Sequence, residues 1–211
     1  MMNGVKVYLQ FLKDTVGIEY MKGTGDIDNK EKESLQRLKK EVERCKRCPL
    51  FRTRTHVVFG EGNEDAEIMF VGEAPGREED LSGKPFIGRA GKLMDGIFEK
   101  IGLRRRDIYI ANCIKCRPPE NRNPKPEELL MCFPYLEKQI EIIKPKIIIC
   151  LGKFAAQQLS GSALPISVLR GRTMKHRDVT VIPTFHPAYL LRNPHAVDSF
   201  TEDLIKAMKM V

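Results

Sequence analysis

Four short, almost unbroken apolar runs constrain this chain most. Ala66 to Gly72 (AEIMFVG), Asp107 to Ile114 (DIYIANCI), Ile147 to Leu151 (IIICL) and Val179 to Phe185 (VTVIPTF) hold too few polar positions for strands with one wet face. Strands of that kind belong in a parallel sheet covered on both faces. The intervening segments have the spacing to supply the cover. Leu93, Ile97, Phe98 and Ile101 share one face of a helix over Gly91 to Gly102, and Pro126 followed by Glu127 and Glu128 opens a helix that runs to Ile143. A short helix over Gly152 to Leu159 and a closing helix over Ser199 to Met210 complete the alternation. The expected fold is α/β with three layers: a central, mostly parallel four-stranded sheet and helices on both faces.

A chain of 211 residues is long enough for one sizeable core. Residues 1–29 are poorly specified. Val5 to Leu12 reads as a short helix or strand, Gly23 to Asp26 as a break, and Met21 as an alternative start. Residues 30–211 are expected to form a single domain, opened by a helix carrying Leu35, Leu38, Val42 and Cys45 at helical spacing. No apolar run approaches bilayer length and no signal peptide is legible, so the expectation is a cytoplasmic protein that leaves membranes alone. The net charge of +8 favours a polyanion partner, and without a basic amphipathic helix, nucleic acid ranks above lipid. Sparse Gln and Asn beside abundant Lys, Glu and Ile hint at a thermophilic source.

Open α/β sheets bind ligands beyond the carboxyl ends of their strands. The first strand leads into Gly72-Glu73-Ala74-Pro75-Gly76, the second ends at Asn112, the third meets Gly152-Lys153 and the fourth runs into His186-Pro187. A carboxylate, a carboxamide and an imidazole therefore converge on one rim. Singly they read as a helix-cap acid, a turn former and a satisfied buried histidine; together at equivalent positions they point to a site. Gly88 to Leu93 fails as a phosphate loop, because Phe86 and Leu93 stand where Gly and Ser or Thr are required. No GxGxxG, GxSxG or HExxH motif is present.

Clustered cysteines in a cytosolic chain suggest metal ligation. Two sets compete. Cys45, Cys48, Cys113 and Cys116 form paired CxxC motifs of zinc type, although Cys113 falls inside an expected strand; Cys45, Cys48, Cys116 and Cys132 suit an iron–sulfur cluster. Spacing alone leaves both open. The proline-rich, basic segment Lys115 to Lys125 reads as a structural loop or as a phosphate grip beside the metal. Arg104-Arg105-Arg106 reads as a solvated helix end.

Several motifs in order carry a specific likeness. Gly72 to Asp80 (GEAPGREED), Gly83 to Gly91 (GKPFIGRAG), Asn112 ahead of Lys115-Cys116-Arg117-Pro118-Pro119, and His186 to Asn193 (HPAYLLRN) closely resemble the family 4 uracil-DNA glycosylases, from about Cys45 to the end of the chain. The resemblance implies a uracil-DNA glycosylase-like fold and excision of uracil from single- or double-stranded DNA, by a monomer, leaving an abasic site. It implies a four-iron, four-sulfur cluster on Cys45, Cys48, Cys116 and Cys132. The base would be bound by Gly72, Glu73, Ala74, Glu79, Phe86, Asn112 and His186. Phe86 would stack on it, Asn112 would read its N3–H and O4 edge, and Glu79 would help exclude the thymine methyl. His186 would donate to the developing uracil anion. The wider superfamily activates water with an Asp where this chain has Ala74, which leaves Glu73 as the nearest catalytic carboxylate. Arg117, Leu190, Leu191 and Arg192 would meet DNA, with Leu190 or Leu191 wedging into the gap left by the flipped base. The rival readings are a non-catalytic zinc-ribbon nucleic-acid-binding module and a glycosylase for another deaminated base.

Overall fold

The computed structural model describes residues 34–211. The calls on Val5 to Leu12, Gly23 to Asp26, the start at Met21 and the 1–29 extension lie outside the described residues. Four parallel strands form where the apolar runs are: β2 (Ile68–Gly72), β3 (Tyr109–Asn112), β4 (Ile147–Leu151) and β6 (Val179–Thr184). Two short antiparallel strands, β1 (Glu61–Gly62) and β5 (Met174–His176), flank them and widen the expected four strands to six, in the order β1-β3-β2-β4-β6-β5. The sequence pattern missed both because neither is long or apolar enough to show a period.

Alternate residues of the parallel strands feed two separate cores. Met69, Val71, Ala111, Ile148, Cys150 and Val181 point to one face; Ile68, Phe70, Ile110, Ile147, Ile149 and Ile182 point to the other. The first core is closed by α1 (Leu35–Glu43), α4 (Pro126–Ile143) and α5 (Lys153–Ser160); the second by α3 (Arg89–Lys100) and α8 (Val197–Met208). This is the three-layer arrangement that two-sided burial requires. Short helices α2 (Arg77–Ser82), α6 (Ile166–Leu169) and α7 (Pro187–Leu190) lie in the connections. No helix among the described residues is long and apolar enough to cross a membrane.

Local chemistry sets the boundaries. Ser34 caps α1 by accepting from the Arg37 amide at 3.2 Å, which leaves Leu35, Leu38 and Val42 on the buried face. Pro126 opens α4 at the expected residue, and Glu128 closes a capping box on Lys125. Pro183 is tolerated inside β6 because β5 pairs only as far as Val181; beyond it the Pro183 carbonyl accepts from Gly171 at 2.9 Å. The connection from β2 leads to β3 on one side, and the chain then crosses to β4 on the other. That reversal opens a crevice at the carboxyl end of β2, where such folds place ligands.

Candidate active site and cysteine cluster

Backbone forms the floor of the crevice. A β-carbon at Gly72 would stand 2.4 Å from Asn112 Oδ1 and 2.5 Å from Phe86 Cζ, so only glycine lets β2 end against both side chains. Above it opens a cavity of about 470 Å³ lined by Glu73, Ala74, Glu79, Phe86, Asn112 and His186, among others. Six of the seven residues expected to bind the base thus share one pocket, with Gly72 beneath. The loop Pro118 to Asn123 forms a further wall, and Tyr189 and Arg192 stand at the rim. Tyr189 was not anticipated; its signal was an aromatic three residues after His186. Its ring stacks on Phe185 at 5.0 Å.

Asn112 ends β3 and is 2% exposed. Its Oδ1 is the buried side-chain polar atom that lacks a hydrogen-bond partner among the described residues. The backbone behind it is well held. Lys115, fully buried, donates from Nζ to the Asn112 carbonyl at 2.8 Å and to Gln139 Oε1 at 2.5 Å. Burial pushes the Lys115 ammonium down to about 8.

His186 follows β6 and caps α7, its Nδ1 accepting from the Ala188 amide at 3.1 Å. Enclosure by protein pushes the imidazole down to about 4; Glu79 opposes that fall and Arg192 adds to it. The ring is therefore neutral at pH 7, and with Nδ1 occupied as an acceptor its one proton sits on Nε2. Glu73, half-buried at the end of β2, has its carboxyl raised by desolvation from 4.5 to about 7. Glu79 accepts at Oε1 from the Ile87 amide at 3.1 Å and the Gly88 amide at 2.9 Å. It thereby fixes the loop that delivers Phe86, whose ring centroid lies 5.7 Å from that of His186.

Phe86 adopts φ +51°, an uncommon conformation for an aromatic residue. Its carbonyl oxygen would lie 1.8 Å from a β-carbon at Gly91. Arg105 donates to that same carbonyl, and to the Pro85 carbonyl at 3.1 Å. Arg105 therefore departs from the solvated helix end expected of the run Arg104-Arg105-Arg106.

The residues expected to meet DNA are divided. Leu190 is 1% exposed and packs in the core beneath α8, which removes it as a wedge; Leu191 is 39% exposed and available. A helical turn beginning at Pro187 turns these adjacent residues to opposite sides. Arg192 is exposed at the pocket rim, while Arg117 donates to Asn121 Oδ1 at 2.7 Å and steadies the Pro118 to Asn123 wall. Arg122 in that wall is committed to buried Glu128 through two hydrogen bonds of 2.9 and 2.6 Å.

On the first face of the sheet, Cys45 and Cys48 beyond α1, Cys116 beyond β3 and Cys132 in α4 line one small cavity. Cys113 lies just past the end of β3 rather than within it, and like Cys150 it is fully buried in the core and does not line that cavity. The four thiols that share the cavity are thus Cys45, Cys48, Cys116 and Cys132, without Cys113. One guanidinium and two backbone amides donate to their sulfurs. Arg54 donates to Cys116 Sγ at 3.2 Å, the Lys115 amide to Cys132 Sγ at 3.3 Å and the Arg47 amide to Cys45 Sγ at 3.5 Å. Burial holds Cys132 up at about 12 and raises Cys116 and Cys48. A ligand that needs thiolates must therefore bring cationic charge. The thiols line the cavity without closing on a single ion: among the described residues no three or more His, Cys, Asp or Glu are grouped tightly enough to hold one.

Residues 59–209 match the family model described as the uracil DNA glycosylase superfamily. The chain is 46% identical over 182 residues to a type-4 uracil-DNA glycosylase of Archaeoglobus fulgidus, covering 82% of this chain and 92% of the relative. It is 48% identical over 163 residues to one from Thermotoga maritima (76% and 85% covered) and 44% identical over 187 residues to one from Sulfurisphaera tokodaii (84% and 85% covered).

Proposed function

The chain belongs to the uracil DNA glycosylase superfamily, and on that premise we propose that it is a type-4 uracil-DNA glycosylase, hydrolysing the bond between uracil and deoxyribose in DNA repair. The observation that carries the reading is the unpartnered Oδ1 of Asn112 at the pocket wall. A buried acceptor left bare costs ~1–3 kcal/mol, a cost that a ligand donor removes. Uracil offers that donor at N3 and an acceptor at O4 for the amide nitrogen of the same side chain. Cytosine presents an acceptor at N3 and a donor at C4, the mismatched pattern.

Base flipping delivers the nucleotide to the cavity. Phe86 stacks on the ring, Asn112 reads its edge, and the Glu79-fixed loop restricts room beside C5, where thymine carries a methyl. As the C1′–N1 bond breaks, its electron pair passes to the uracil ring and charge develops on O2. Neutral His186, with its proton fixed on Nε2, stabilises that anion by donating a hydrogen bond without transferring the proton; a preorganised donor of this kind is worth ~3 kcal/mol. Glu73, ionised above about pH 7, faces the cationic sugar, orients the water whose oxygen bonds to C1′ and accepts the proton that this water loses. Leu191 enters the gap left in the duplex and Arg192 meets phosphate.

Cys45, Cys48, Cys116 and Cys132 fit a four-iron, four-sulfur cluster: four sulfur donors on one cavity, with Arg54 and the Lys115 amide turned toward their sulfurs. Held there, such a cluster would tie the end of α1, the segment after β3 and α4 to one another. Residues 30–211 are the catalytic domain and residues 1–29 an extension to it. The test is excision from oligonucleotides carrying uracil, hypoxanthine or mismatched thymine. Asn112→Ala should lose tenfold or more in uracil excision, on the scale of ~1–3 kcal/mol, with abasic-DNA binding retained. Equal excision of hypoxanthine by the wild type, or unaltered uracil excision by the variant, would overturn the assignment.

A further inference from the structure

Of the three consecutive arginines after α3, two behave as surface groups. Arg104 pairs with Asp107 at 2.6 Å with 61% of its side chain exposed, and the Arg106 side chain is 73% exposed. Arg105 also pairs with an aspartate, but its side chain is only 32% exposed and spends its remaining donors on backbone carbonyls. Its Nε is anchored on Asp95 Oδ1 at 2.6 Å, its Nη1 donates to the Pro85 carbonyl at 3.1 Å, and its Nη2 donates to the Phe86 carbonyl. It lines a separate cavity with Asp95 and Ile87, and is absent from the lining of the active-site pocket.

We propose that Arg105 is a positioning residue, setting the plane of the Phe86 ring on which the base stacks. The inference rests on the reading of Phe86 as the stacking residue. Phe86 holds a left-handed φ of +51°, a conformation that persists only where the surroundings over-determine it. Here they act from both sides. Arg105 takes the two carbonyls at Pro85 and Phe86, while Glu79 takes the two amides at Ile87 and Gly88. Gly91 leaves room for the Phe86 carbonyl to lie against α3, since a β-carbon there would sit 1.8 Å from it. Asp95 braces the guanidinium from behind. A planar fork reaches two successive carbonyls at once; an ammonium has no such geometry. Without Arg105 the peptide can relax toward negative φ, which rotates the ring away from the floor at Gly72.

The test compares the intact cluster-containing wild type with Arg105→Ala, Arg105→Lys, Phe86→Ala and the Phe86→Ala/Arg105→Ala double variant. Inhibition by free uracil, binding to an abasic-site duplex and thermal stability are measured for each. Arg105→Ala is expected to weaken uracil inhibition roughly tenfold, equivalent to ~1.4 kcal/mol and within the range of one base–aromatic stack. Abasic-duplex affinity should be unchanged. Arg105→Lys should recover only part of the loss, and methylguanidinium should restore uracil inhibition to Arg105→Ala through the open cavity. The double variant should bind uracil no worse than Phe86→Ala, the coupling expected of residues that act as one. Wild-type uracil affinity in Arg105→Ala, or additive losses in the double variant, would overturn the proposal whatever happens to stability. If Phe86→Ala itself leaves uracil affinity unchanged, the stacking role fails and the proposal with it. Should Arg105→Ala not fold, Arg105→Lys and its response to uracil decide alone.

Discussion

Replacing Glu73 by Gln should make the protein more stable and less active, with a pH dependence that identifies the cause. The Glu73 carboxyl titrates at about 7 against 4.5 when free, because the end of β2 withdraws it from water. At 1.36 kcal/mol per pH unit the difference is ~3 kcal/mol. Solvent still reaches the side chain through the cavity, so ~1–2 kcal/mol is the realistic share. The sign follows from linkage: the native state holds this proton more tightly than the unfolded chain does. The favourable contribution is complete below pH 4.5 and is lost as pH rises through about 7. Gln carries no charge to desolvate. Glu73→Gln should therefore melt about 3–6 °C above the wild type at pH 8, taking ~3 °C per kcal/mol for a chain of this size, and close to it at pH 5. Single-turnover excision provides the second reading. The wild-type rate should climb through an apparent pKa near 7, whereas the Gln variant should be slow and flat across that range. Equal melting shifts at both pH values, or a wild-type rate that ignores pH between 6 and 8, would refute a desolvated carboxylate at this position.

His186→Ala should lower the single-turnover rate by roughly a hundredfold or more, the usual cost of an oxyanion donor, while duplex binding and visible absorbance stay near wild type; rapid-quench excision measures it. Cys132→Ala should bleach the visible absorbance of the purified protein, whereas Cys113→Ala should remain coloured, and the reverse pattern would favour the paired CxxC set.

The parallel strands were legible because two-sided burial leaves a strong signature: every residue of β2, β3 and β4 is buried. The extent of α4 was equally plain: it opens at Pro126 ahead of Glu127 and Glu128 and ends at Ile143 as expected, where Lys144 turns left-handed. Rim positions at the strand ends located Glu73, Asn112 and His186 without any knowledge of tertiary contacts. What stayed hidden depends on contacts distant in sequence. Arg105 reaches back 19 residues to Phe86, and nothing in a run of three arginines distinguishes the middle one. Leu190 and Leu191 are chemically alike, and only the direction of a four-residue helix separates core from surface. The choice between cysteine sets waited on the same kind of information, since α4 brings Cys132 to a cavity whose other thiols come from beyond α1 and β3.

The short edge strand β1 bears on how the sheet meets other copies of itself. Parallel strands left bare at a flank present a row of free amides that a second chain can zip onto, and such growth is the usual route to aggregates. β1 closes that row with two residues lying antiparallel on β3, the strand that ends in Asn112. It lies so close that a β-carbon at Gly62 would stand 2.0 Å from the Ile108 carbonyl. Glu61 beside it pairs with Lys84 at 3.3 Å, putting charges of both signs at the flank. A larger residue at Gly62 would lift this guard and bare the strand that carries Asn112. Colloidal behaviour and the seating of Asn112 are thus tied to one glycine at the edge of the sheet, and loss of activity and onset of self-association should arrive together.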